Sequence, residues 1–331
     1  MKVIPTGRTL GYVVAILTGL MLLLIPASQV SSQSAEKLNR EFPQLDLSKS
    51  SVDLAEIKFG GVPRDAIPAI LDANFLPVSE IKDLGDDEPV IFLTGQCGAY
   101  AFPYRVLIWH EIVHHDHCGV PVAVTYCPLC NTSMVFDRRV DGKILSFGTT
   151  GRLRHSDLVM YDHQTESFWQ QFTGEAIVGT MTGTTLTAVP ARIEAWRLFR
   201  DEFPQGQVLV PNDTTARDYG RNPYQGYDSA PAPFLYRGKL PRNIDPMARV
   251  VRVGPRAWSL DYVRRNSPVL TESGLRIEWI AGQNSALDSS RISNGRDIGN
   301  VRITRAQDDV AYSIDFAFAF FAFYPRGELI Q

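Results

Sequence analysis

The sequence predicts a mainly β fold of the α+β kind: a single β-rich domain, a sandwich or partly open barrel with a few short helices, behind an N-terminal apolar segment. Three observations predict it. Pro and Gly are frequent, 21 and 25 of 331 residues, which suits many short strands joined by tight turns. From Val122 onward, short apolar runs with strand periodicity recur between turn residues. Only two stretches, Tyr104 to His115 and Ala195 to Phe203, read as helices.

The chain opens MKVIPTGR, with Lys2 and Arg8 as its only early charges, and Thr9 to Ala27 carries none. A basic start before such a run is the pattern of a secretory signal or an uncleaved anchor, here residues 1–27. Small residues follow and permit cleavage after Ala27 or Ser32. No Cys lies there, which excludes a lipoprotein anchor. The positive-inside rule puts the rest outside the cytoplasm, periplasmic or extracellular, with a membrane attachment through this segment if it is retained. Residues 28–51 are polar and read as a tether. The net charge of -3 argues against a nucleic-acid binder, which shows a basic stripe.

Along the remaining chain, Val90 to Leu93 is a short strand opened by Pro89. Tyr104 to His115 carries a mixed apolar face and predicts a helix, ended by Gly119 and Pro121. Val122 to Tyr126 and Ser133 to Phe136 are strands around Cys127-Pro128-Leu129-Cys130. Asp141-Gly142 is a two-residue hairpin signal before Ile144 to Phe147. Leu158 to Tyr161 and Ser167 to Gln171 form a further hairpin; Ala176 to Val178 and Thr185 to Thr187 continue the strands. Arg217 to Pro233 is a long Tyr-, Gly- and Pro-rich loop, of the kind that is functional or packed by its own side chains. Val250 to Val253 and Leu275 to Ile280 are strands. The aromatic tail from Ala311 to Tyr324 reads as a buried terminal strand.

The chemistry is concentrated early. All six histidines lie between His110 and His163, and all four cysteines between Cys97 and Cys130. Thiolate and imidazole are favoured ligands of zinc and copper. In an exported chain an even cysteine count also suggests disulfides. His110-Glu111-Ile112-Val113-His114 matches H-E-x-x-H, which on a helix sets two imidazoles on one face with Glu beside a metal-bound water. A zinc protease also needs a third ligand downstream, a place His155 or His163 could take, but both fall in strand and turn context. Cys127 and Cys130 lie between strands, a knuckle better suited to a metal or a tight disulfide than to a thioredoxin-like helix start. His155, Asp157, Tyr161 and Asp162 are polar groups around one strand and are candidates for a pocket mouth. The expected site is therefore metal, copper or zinc, on His110, Cys127 and Cys130, with Glu111 as general base. Thiol–disulfide chemistry at Cys127 and Cys130, or an unidentified small molecule gripped by the 217–233 loop, are the alternatives.

Long strings also resemble a family. Ile108 to Val113, Gly119, Pro121 and Val124 to Cys130 are similar to domain-of-unknown-function family 3179. So are Ser156 to Asp162 with Thr165, Ser167, Trp169 and Gln170, Gly60 to Asp65 with Ile67 to Ala69, and Arg217 to Gly220 with Tyr224 and Tyr227. The resemblance implies one domain over residues 52–326 in an exported bacterial or archaeal protein, and no assigned activity. The family pattern has Asn and Asp where this chain has His114 and His115, Gly at Cys118 and commonly Asn at His155. His110, Glu111, Cys127 and Cys130 carry over. The resemblance thereby leaves Cys97 and Cys118 to pair as an added disulfide.

Overall fold

The computed structural model describes residues 36–331. The apolar segment from Thr9 to Ala27, with its expected export role, lies outside the described residues. Among the described residues no helix is long and apolar enough to cross a membrane.

Strand outweighs helix, 38% to 16%, as the sequence predicts. The α-helices Tyr104–His110, Trp196–Glu202, Leu260–Asn266 and Ala317–Phe323 have seven residues each. Helices that short hold only by packing on something larger, and here the sheets are that support.

The largest sheet runs in space through Val269–Leu270, Leu275–Ile280, Asn300–Arg305, Arg192–Ala195, Pro89–Gly95, Gly98–Pro103, Gln207–Val210 and Asn74–Pro77. A five-stranded sheet orders Ile57–Phe59, Phe147–Arg154, Asp157–Asp162, Phe168–Gln170 and Ala176–Val178. A four-stranded one orders Ser313–Phe316, Arg249–Val253, Arg256–Ser259 and Glu328–Ile330. Ile112–His117, Val120–Cys127 and Thr132–Asp137 make a three-stranded antiparallel sheet. Ile91, Val113, Val124, Met160, Val251 and Ile314 come from these four sheets and share one buried apolar cluster.

Polar stitches draw three of the sheets onto the cysteine knuckle. The Asn131 amide donates to the Ile314 carbonyl at 2.8 Å, and the Thr132 hydroxyl to Asp315 at 2.8 Å. The Phe316 N–H donates to the Cys130 carbonyl at 2.9 Å. The Gln171 amide donates to the Thr125 hydroxyl at 2.8 Å. Buried polar groups demand partners, and here the partners lie in different sheets, so the knuckle is held from several sides.

Three local expectations are corrected. The helix expected over Tyr104 to His115 stops at His110, where Glu111 takes a left-handed conformation (φ 58°) and its N–H closes on the Leu107 carbonyl. Ile112 to His117 pair as a strand with Val120 to Thr125. Two β-branched residues and a ready partner strand outweigh helical periodicity there. The aromatic tail is a strand only over Ser313–Phe316; Ala317–Phe323 is a helix with Ala317, Phe318, Ala319 and Phe320 buried. A helix apolar on every side is a core element, and alternating Ala and Phe mimics strand periodicity. Thr185 to Thr187 form only a single bridge, Glu175 to Thr185, instead of a strand.

The polar stretch expected as a tether is seated on the domain from residue 36. Residues 36–41 are helical. Phe42 is fully buried, edge-on to Tyr161 and Phe168 at 5.2 and 4.9 Å between ring centroids, with Leu45 buried beside it.

Candidate metal centre

Antiparallel register pairs Cys127 with Thr132 and leaves Pro128 to Asn131 as a knuckle. Asn131 closes it by donating its N–H to the Pro128 carbonyl at 3.2 Å, with φ 56°. Asn tolerates that left-handed conformation better than most side chains. Opposite lies the hairpin turn between Arg154 and Asp157. Its two loop residues, His155 and Ser156, have φ 53° and 66°, the pattern of a type I′ turn. The turn's carbonyls face the thiols. The Cys127 Sγ–H points to the Ser156 carbonyl at 3.7 Å and the Cys130 Sγ–H to that of His155 at 3.8 Å. The Ser156 hydroxyl donates to the Phe234 carbonyl and ties the turn to the tyrosine-rich segment.

The strand starting at Asp157 then brings a carboxylate to the sulfurs. Cys127 Sγ, Cys130 Sγ and an oxygen of Asp157 all lie within 4.8 Å of one another, and all three residues are buried. Both cysteines are free. Asp157 Oδ2 accepts from the Gln170 amide at 2.6 Å and the Phe172 N–H at 2.9 Å. Asp157 Oδ1 is buried with no hydrogen-bond partner among the described residues, as is Gln170 Oε1.

The charges around this cluster do not balance. Burial pushes the Asp157 carboxyl up to about 7, only partly countered by its bonds to Gln170 and Phe172. Burial, reinforced by Asp157, pushes Glu111 up to about 8. Burial raises the Cys127 thiol and takes that of Cys130 well above its ordinary value. The nearby cations are already engaged: Arg252 pairs with Asp315 at 2.5 Å and Arg249 with Asp228 at 2.9 Å. Four acidic groups gathered in a low-dielectric interior with no cation of their own either stay protonated or await a positive ion.

His110 is engaged elsewhere. Its Nδ1–H donates to the Pro68 carbonyl at 2.8 Å, and its Nε2 accepts from the Tyr219 hydroxyl at 2.8 Å. A carbonyl can only accept, so the proton sits on Nδ1. Burial lowers the His110 pKa and favours this neutral form. With both nitrogens used, His110 is not among the donors that gather at Cys127 and Cys130. His114 sits on a strand, its Nε2 accepting from the Phe147 N–H at 3.1 Å. The two imidazoles of H-E-x-x-H therefore never share a helix face, and the arrangement of a zinc protease is not formed.

The four expected pocket residues divide along one strand. His155 and Asp157 lie at the cysteines; Tyr161 and Asp162 lie four and five residues further, roughly 13–16 Å away at strand rise. There Tyr161 donates to Asp65 at 2.6 Å, and Asp162 accepts from the Trp169 indole at 2.9 Å, closing a turn. His155 faces Glu56, with Nε2 3.5 Å from the carboxylate. Cys97 and Cys118 are disulfide-bonded, the pairing that the resemblance implies.

The neighbourhood holds further residues that spacing did not single out. Tyr224 is raised by burial and then by Glu111 and Cys127, so its hydroxyl belongs to the same acidic neighbourhood. Tyr227 donates to the Leu129 carbonyl at 3.1 Å and accepts from the Phe234 N–H at 3.1 Å. Leu129, Tyr224, Tyr227 and Phe234 line a groove of about 710 Å³ directly over the knuckle. The long aperiodic loop was the signal for this roof. Glu111, Asn131, His155 and Ser156 are all non-Gly residues with positive φ. Such backbone strain concentrates at functional sites because the surroundings must enforce it.

The sequence profile of the family described as "Protein of unknown function (DUF3179)" matches residues 64–327. No curated protein and no solved structure matches the chain.

Proposed function

This chain belongs to the DUF3179 family, and from that footing we propose that it is an exported protein binding one transition-metal ion, copper or zinc, through Cys127, Cys130 and Asp157. The observation that carries the reading is the buried trio of donors within 4.8 Å, together with the unpartnered Asp157 Oδ1. Two thiolates and a carboxylate are donors that zinc and copper accept. Thiols lose their protons on binding such an ion, so the raised pKa values describe the metal-free state. Glu111 is the proton-handling group of the site, facing Asp157 and Cys127 from the end of Tyr104–His110. The groove under Tyr224 and Tyr227 supplies the approach.

Thiol–disulfide exchange is less well supported. A redox-active Cys-x-x-Cys exposes one sulfur with a lowered pKa, whereas Cys127 and Cys130 are 1% and 0% exposed and both thiols are raised. Export is supported by the basic start and apolar run of the N-terminus and by the Cys97–Cys118 disulfide, which suits an oxidising compartment.

The test is metal analysis of the purified full chain, reconstituted separately with copper and zinc, beside Cys127→Ser and His110→Ala. One tightly held equivalent in the parent and in His110→Ala, lost in Cys127→Ser, is expected. A folded parent that retains neither metal overturns the reading.

A further inference from the structure

At the opposite end of the three-stranded sheet from the knuckle, a second group of donors surrounds the disulfide. Cys97, Cys118 and His117 each offer a ligand atom, all within 4.8 Å of one another. The two cysteines are exposed, while His117 is 8% exposed. His117 Nδ1 lies 3.9 Å from Cys97 Sγ, and its Nε2 is buried with no hydrogen-bond partner among the described residues. These atoms pack directly against Gly95. A Cβ there would stand 2.7 Å from Cys118 Sγ and 3.0 Å from His117 Nε2, closer than packed atoms approach. Glycine there permits this close approach, and what the packing leaves unexplained is a buried imidazole nitrogen with no hydrogen-bond partner among the described residues, beside two sulfurs.

We propose that Cys97, Cys118 and His117 form a redox-gated Cu(I) site, closed while the disulfide is intact and opened when an external dithiol reduces it. A thiolate of that dithiol attacks one sulfur of the exposed bond and forms a mixed disulfide. Its second thiolate then releases the protein thiol. The protein gains two electrons and two protons, and the dithiol leaves as its own disulfide. Cu(I) next binds both cysteine sulfurs and His117, and the two thiol protons go to solvent. Two thiolates and one imidazole suit the softness and low coordination number of Cu(I). The site shares no residue with the Cys127 centre, so it stands independently of that reading.

The experiment uses the full chain carrying Cys127→Ser and Cys130→Ser, titrated with Cu(I) buffered by bicinchoninate. One sample is oxidised; the other is treated with a phosphine reductant. The oxidised sample is expected to bind no copper and the reduced sample one equivalent. Adding His117→Ala or Cys118→Gly should weaken binding by more than about tenfold. Cys118 already has φ 55°, which glycine adopts without strain, so the variant keeps the local backbone, and in the reduced sample the parent lacks the cross-link too. If the double serine background does not fold, the same site is read on the parent chain as an extra equivalent gained on reduction and lost in Cys118→Gly. A reduced protein that unfolds, that binds no copper, or whose binding ignores both His117→Ala and Cys118→Gly overturns the proposal. Absence of metal at Cys127 leaves this readout unaffected.

Discussion

A carboxyl oxygen of Asp157 lies within 4.8 Å of the Cys127 sulfur, although the two residues are thirty positions apart in the chain and belong to different sheets. The hairpin turn at His155 and Ser156 makes this possible, because it turns the chain back at the knuckle and delivers the next residue to the thiols. Asp157 therefore serves the centre from a sheet that contributes no cysteine.

Asp157→Asn tests that role. The amide oxygen can still accept from Gln170 and Phe172, but the nitrogen that replaces the second oxygen cannot bind a metal. Metal affinity should fall by about 10–100-fold or more, with the fold retained, in a competition titration against a chromophoric chelator. Unchanged affinity removes Asp157 from the ligand set.

Metal loading should expel protons. In the metal-free centre both thiols are held protonated by burial, and binding requires thiolates. Calorimetric titration at pH 7 in two buffers of different ionisation enthalpy should report between about two and three protons released per ion, two from the thiols and the rest from Asp157, whose carboxyl is pushed up to about 7, with affinity rising as pH rises. Affinity that does not vary with pH contradicts thiolate ligation.

Glu111 should make the metal-free protein lose stability as pH rises. Its folded pKa of about 8 lies above the ordinary value of 4.5, so the folded state keeps a proton that the unfolded chain sheds. The stabilisation is complete below about 4.5 and is lost as pH climbs through 8, with stability changing in proportion to the proton difference. Glu111→Gln should flatten that decline in urea unfolding measured from pH 5 to 8. An identical pH profile in the variant would show that Glu111 is not held protonated.

Phe42 belongs to the domain core and should behave so. Removing a buried aromatic side chain typically costs about 3–5 kcal/mol, and Phe42→Ala should lower stability on that scale in urea unfolding. No change would mean that the segment around Phe42 is a free tether.

Much of the fold was legible because strand signals are local. Val122 to Tyr126, Ser133 to Phe136 and Asp141-Gly142 announce themselves by alternation and turn chemistry, and the structure forms a strand or turn at each. Glu111 was not legible as a break, since a left-handed residue held by a tertiary strand pairing leaves no periodic trace. Phe42 was hidden among polar neighbours that carry no apolar stripe. At the centre, Cys127 and Cys130 were readable from their spacing. Asp157 was visible only as a polar residue beside a strand, because its partnership with the thiols arises from sheet packing. His110 looked like the natural third ligand by residue type, and only the carbonyl of Pro68 and the hydroxyl of Tyr219 reveal where its nitrogens are used.

X-ray absorption at the metal edge of the loaded full chain, with His110→Ala alongside, tests the central claim most directly. The account predicts a shell of two sulfur scatterers, at about 2.3 Å if the metal is zinc, and a spectrum that His110→Ala leaves unchanged. A shell without sulfur, or one that loses an imidazole contribution in His110→Ala, would contradict it.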